Sequence, residues 1–71
     1  MHVRVNGDMM EFDGERVSVS ELLASLAERG RPVGRACAVE VNRAVAPRRQ
    51  HETTFVVDGD EVEIVTLVGG G

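Results

Sequence analysis

Apolar and polar positions alternate from the first residues. Val3 and Val5 fall on one side of an extended chain and His2, Arg4 and Asn6 on the other, the period of a half-buried strand. Asn6-Gly7 follows, a pair that tolerates the positive φ angles of a tight type I′ turn. Asp8 to Phe12 is therefore expected to return antiparallel, with Met10 and Phe12 inward. After Gly14 the period changes. Ser18-Val19-Ser20-Glu21 fits a capping box, with Ser18 as N-cap and Glu21 three residues on, and Val17 is placed to staple against Leu22. Val19, Leu22, Leu23, Leu26 and Ala27 then recur at helical spacing as one apolar stripe. Gly30 supplies the stop, and Pro32 prevents continuation.

Residues 31–35 read as a loop, after which Cys37, Val39 and Val41 alternate against Ala38, Glu40 and Asn42 as a third strand. Ala44 to Ala46 predicts a short edge strand closed by Pro47, which has no N–H to give a ladder. Thr54 to Val57 predicts another short strand. Asp58-Gly59-Asp60 is a tight turn into the last one, where Val62, Ile64 and Thr66 point one way and Glu61, Glu63, Val65 and Leu67 the other. The predicted order is β-β-α-β-β-β. One helix covering one face of a small mixed sheet is an α+β plan, which a β-grasp satisfies with the first and last strands side by side.

On the outward face of the last strand the residues change from acidic to apolar. Val65 and Leu67, continued by Val68, form an apolar spot rimmed by carboxylates, a candidate partner surface. Charge sharpens this. The net charge is −4 and all eight basic residues are arginine, with none beyond Arg49. Glu52, Asp58, Asp60, Glu61 and Glu63 follow, so the face leading to the end of the chain is expected to be acidic and to favour a basic partner. The same balance argues against nucleic acid, where a basic face supplies most of the affinity.

At 71 residues the chain is one domain, and such a chain buries only about 60% of its unfolded surface. With two Phe and no Trp or Tyr, Val, Leu, Ile and Met must build the core, which leaves little room for a deep catalytic cleft. We expect a folded domain over residues 1–68 and a flexible glycine tail over residues 69–71, monomeric when free. Cys37 is the only cysteine; no internal disulfide can form, and a reducing, cytoplasmic setting is expected. No signal-peptide core or membrane-length apolar run is present.

Other constellations carry little chemistry. Cys37, His2 and His51 lack the local spacing of a metal site, and Cys37 shares the parity of Val39 and Val41, as a small core hydrophobe would. Asp58 and Asp60 flank a turn glycine and are explained as turn residues. The glycine run is no phosphate loop, because no helix follows it. No catalytic or metal-binding residue is assigned.

Val5-Asn6-Gly7, Val39-Glu40-Val41-Asn42 followed by Pro47-Arg48, Asp58-Gly59-Asp60-Glu61-Val62-Glu63-Ile64-Val65 and Gly70-Gly71 together resemble the ubiquitin-like sulfur carriers, specifically the ThiS family of thiamine biosynthesis. Gly69 departs from the pattern, which usually has a side chain there. The resemblance implies a ubiquitin-like β-grasp that is a protein co-substrate and not an enzyme. It implies that an E1-like adenylating enzyme, using ATP and magnesium, activates the Gly71 carboxylate. A sulfur-donor protein would supply the sulfur of a thiocarboxylate at Gly71, delivered to thiazole synthase. Gly69 and Gly70 would serve tail recognition. Two alternatives remain open at this point: a related carrier, such as the molybdopterin synthase small subunit or a cysteine-synthesis carrier, and a β-grasp interaction module that is never activated.

Overall fold

The computed structural model describes residues 1–31, 33 and 37–66, with the side chains of Cys37 and Thr66 outside the description. Its elements are β1 (His2–Val5), β2 (Asp8–Glu11), β3 (Arg16–Ser18), α1 (Val19–Glu28), β4 (Cys37–Val41), β5 (Ala44–Ala46), a 3₁₀ turn (Arg48–Gln50), β6 (Phe55–Val57) and β7 (Glu61–Thr66). The first hairpin forms as its turn residues dictate. Asn6 and Gly7 have φ of 48° and 87°, and Val5 stands opposite Asp8.

Local code also sets the helix. The Glu21 N–H donates to Ser18 Oγ at 3.1 Å, and the Ser18 N–H returns to Glu21 Oε1 at 3.2 Å. Two more N–H groups of the first turn find partners in a distant segment: Val19 donates to the Thr54 carbonyl at 2.9 Å and Ser20 to the His51 carbonyl at 3.0 Å. At the other end Gly30, at φ 78°, donates to the Ala27 carbonyl, and the Arg31 N–H donates to that of Leu26 at 2.9 Å, a Schellman stop.

Five strands make the main sheet in the order β2-β1-β7-β4-β5. β1 and β7 run parallel at its centre, while β7 and β4 are antiparallel. One face packs on α1. Val3, Val5, Val39, Val62 and Ile64 from the sheet meet Val19, Leu22 and Leu26 from the helix, with Phe12 and Val56 completing a core built mainly of aliphatic side chains. Val17 and Leu22 sit in this same packing, as a staple requires. The α+β plan, a β-grasp with one helix on a mixed sheet, is the fold observed.

Three details differ from the sequence reading. A strand at Arg16–Ser18 was not anticipated; it pairs with β6 as a separate two-stranded ribbon, Val17 opposite Val56. The segment expected to run from Thr54 begins at Phe55 and belongs to that ribbon, not to the main sheet. Thr54 instead gives its carbonyl to the start of α1. Ala27 is exposed, so the buried stripe is Val19, Leu22 and Leu26, with Leu23 half-buried. The boundary expected between residues 68 and 69 lies outside the described residues, as does the parity reading of the Cys37 side chain.

Arginines from the end of α1 hold the outer strand of the sheet. The Arg29 guanidinium lies 4.5 Å from the centroid of the Phe12 ring and donates to the Glu11 carbonyl at 2.7 Å. Arg31 pairs with Asp8 at 2.9 Å. Among the described residues no helix is long and apolar enough to cross a membrane.

Ser18→Ala removes the acceptor for the first turn. Such a change costs about 1 kcal/mol, and thermal unfolding followed by circular dichroism should show a melting temperature roughly 4–8 °C lower for a domain of this size.

Candidate functional site

The residues that the family resemblance implies for sulfur transfer follow β7 in sequence, so the site is built from what fixes that strand. Its entry is a polar knot. Asp60 accepts the Val57 N–H through Oδ2 at 2.9 Å and the Asn42 amide through Oδ1 at 3.0 Å, while its carbonyl accepts the Arg4 N–H at 3.0 Å. Asp58 accepts the His2 N–H at 2.7 Å. Gly59, at φ 87°, allows the turn between the two carboxylates. Asn42 works in both directions: its Oδ1 also accepts the Glu61 N–H at 2.9 Å. Asp58 and Asp60 are thereby engaged in the turn, with Asp58 still exposed.

Further along, β1 ends before β7 does. The Asn6 N–H donates to the Val62 carbonyl at 2.9 Å, the last backbone bond in that direction among the described residues. The Asn6 carboxamide then takes over. Its Oδ1 accepts the Ile64 N–H at 2.7 Å, and its Nδ2 donates to the Ile64 carbonyl at 3.2 Å. A carboxamide offers one acceptor and one donor side by side, so here it substitutes for a peptide unit of the missing strand.

The face of β7 away from the helix is open. Val65 is 48% exposed there, opposite Ala38 of β4. Glu63 stands opposite Glu40, which stands opposite Val45 of β5, itself 66% exposed. Two carboxylates facing each other across a strand pair repel. Arg4 is beside Glu61 in the β1–β7 register, but its guanidinium donates to the Gly7 carbonyl. Apolar positions set among carboxylates suit a basic, partly apolar partner.

Of the predicted site residues, Val65 is on this face as expected; Leu67, Val68, Gly69, Gly70 and Gly71 lie outside the described residues. Val45 belongs to the same face and was missed, although its place between Ala44 and Ala46 in an alternating strand was the available signal. Asn6, Asn42 and Asp60 were read only as turn or strand positions; the side-chain bonds of Asn6 and Asn42 to β7, and of Asp60 to Val57 and Asn42, had no sequence signal beyond residue type. His2 and His51 lie apart in function: His2 sits beside Glu11 at 3.5 Å, whereas the buried His51 ring meets the Ala46 carbonyl at 2.9 Å. A concavity of about 200 Å³ beside Asn6 is lined by Val5, Leu26, Arg31, Val33 and Ile64. It is smaller than the roughly 300–1,000 Å³ of small-molecule sites.

A family model described as the ThiS family matches residues 3–71. The chain belongs to the ThiS family. A crystal structure of the thiamine biosynthesis protein ThiS from Geobacter metallireducens superposes on this ThiS-family fold with a TM-score of 0.81 at 39% identity, covering all of both chains. Over all 71 residues the chain is 35% identical to a thiazole synthase from Paramagnetospirillum magneticum, matching 20% of that protein. It is 47% identical over 34 residues to the uncharacterized protein ycf40 of Porphyra purpurea, 48% of each chain. This member of the family thus spans about half the length of one curated relative and one fifth of the other.

The Glu40–Glu63 pair makes a signed prediction. Glu63→Gln should raise stability to urea by about 0.2–1 kcal/mol at low ionic strength, and the gain should shrink in 1 M salt, where the screening length falls to about 3 Å.

Proposed function

We propose that this chain is a sulfur carrier of thiamine biosynthesis, acting as a protein co-substrate. The observation that carries the reading is the family match, which runs through the terminal glycines to residue 71. In this reading the Gly71 carboxylate attacks ATP on an E1-like adenylating enzyme, displacing pyrophosphate. A carboxylate oxygen is a poor leaving group, and the acyl-adenylate supplies AMP in its place. Hydrosulfide released by a donor protein then attacks the carbonyl, AMP leaves with the bonding electron pair, the sulfur loses its proton, and a thiocarboxylate remains. Glycine keeps that carbonyl unhindered, and Gly69 and Gly70 let the tail pass through a narrow channel. ATP and magnesium belong to the activating enzyme.

The acceptor proposed is thiazole synthase. A relative of that name carries a stretch similar to the whole of this chain, and a carrier and its acceptor act on one another directly. The open face of β7, with Val65 among Glu40, Glu61 and Glu63, supports docking of both enzymes through a basic, partly apolar surface, with the tail reaching onward from it. Chemistry contributed by the chain itself is confined to its acyl end.

Two measurements test this reading. Incubation with ATP, magnesium, the cognate adenylating enzyme and a sulfur donor should raise the intact mass by the difference between sulfur and oxygen, and one residue appended after Gly71 should abolish the change. An unmodified mass, under conditions that convert a control carrier, would remove the proposal. Separately, Val65→Lys should leave the exposed-face fold intact yet raise the carrier's KM in ATP–pyrophosphate exchange roughly fivefold or more, the loss expected at a binding hot spot.

A further inference from the structure

We infer that Asn6 is a positioning residue for the acyl tail, beyond its place in the hairpin turn; the inference rests on the activation of Gly71 proposed above. Three observations converge on it. First, β7 is supported unequally. On one side β4 pairs with it through Thr66, opposite Cys37, whereas on the other the register with β1 runs only to Val5 opposite Val62. Second, the gap begins at Ile64, and both main-chain groups of Ile64 are held by one side chain, that of Asn6, at 2.7 and 3.2 Å. Third, Asn6 is itself fixed. Its φ is 48°, in the region demanded by the turn, and its own N–H donates to Val62 at 2.9 Å.

The direction of the chain toward its acyl end is therefore set at Ile64, three residues before Leu67 in sequence. A strand bonded on one edge only can twist and splay; bonded on both edges it cannot. Holding Ile64 fixes which side of the sheet faces the activating enzyme while residues beyond it enter the active site. Residue choice fits this role. Gly would suit the turn equally well but carries no carboxamide. Asp would keep the acceptor for the Ile64 N–H but set a second oxygen against the Ile64 carbonyl. Gln would place the amide one methylene too far.

The latch acts on presentation, not on acyl chemistry at Gly71, so its loss should raise the carrier's KM while leaving kcat unchanged. Asn6→Gly and Asn6→Asp are to be compared with Val56→Ala, which lowers stability through the core without touching Ile64. Hydrogen exchange should show the Ile64 amide of Asn6→Gly opening roughly tenfold faster, as loss of one or two hydrogen bonds implies. In ATP–pyrophosphate exchange with the cognate adenylating enzyme, Asn6→Gly should raise KM about tenfold at constant kcat, Asn6→Asp should do the same to a smaller or equal degree, and Val56→Ala should leave KM unchanged. Faster Ile64 exchange with an unaltered KM would overturn the positioning role while leaving the carrier function standing. Equal KM increases in Asn6→Gly and Val56→Ala would also overturn it, assigning the effect to stability. Failure of the unaltered chain to support exchange at all would instead remove the carrier reading, and this inference with it.

Discussion

A central strand must have its N–H and C=O groups paired on both edges, because neither edge reaches water. β7 is that strand, and a set of long-range polar side-chain bonds serves it. Asp60 and Asn42 pin its beginning. β1 and β4 flank its middle. Asn6 completes the edge that β1 leaves short. Other polar contacts fix the helix that packs on the sheet: the 51–54 segment caps the first turn of α1, and Val19, Leu22 and Leu26 of α1 share one core with Val62 and Ile64. The fold can be described as a frame around one strand whose continuation carries the proposed chemistry.

The frame is asymmetric. Its helix side is closed with small aliphatic residues, while its outer side keeps Val45 and Val65 in water and sets Glu40 against Glu63. Neither arrangement favours the isolated domain. Both are intelligible if the outer face is completed by another protein, and a small domain with a modest core tolerates few such concessions elsewhere. That contrast between the two faces is the main structural support for placing partner contacts on the sheet and not on the helix.

Much of this was legible in the sequence where the code is local. Asn6-Gly7, the Ser18–Glu21 box and Gly30 each act within a few residues, and each appears in the structure as written. Alternation along Val3–Val5 and Val62–Ile64 named the inner faces of the central strands correctly. β3 escaped because three residues, with Val17 half-buried and Ser18 buried, show no period, and the partner strand at Val56 is far off in the chain. The Asn6 latch escaped for another reason. Turn propensity already accounted for an asparagine before a glycine, and nothing in the sequence reports that β1 falls short of Ile64. Long-range polar complementarity of this kind has no local signature. The tail, Leu67 to Gly71, lies outside the described residues, and the role proposed for its glycines rests on family resemblance.

The arginines at the end of α1 have a consequence for how the molecule meets others. In a two-residue hairpin with Val5 paired to Asp8, the main-chain groups of Glu11 point away from β1, toward the rim of the sheet. Arg29 covers that carbonyl while stacking on Phe12, and Arg31 ties down Asp8 beside it. The opposite rim is β5, three residues long and ended by Pro47. Both rims are thus poor templates for adding a foreign strand. A sulfur carrier of the kind proposed gains from this: edge-to-edge pairing of copies is disfavoured, and a partner enzyme is left the broad face of the sheet, from which it can let go.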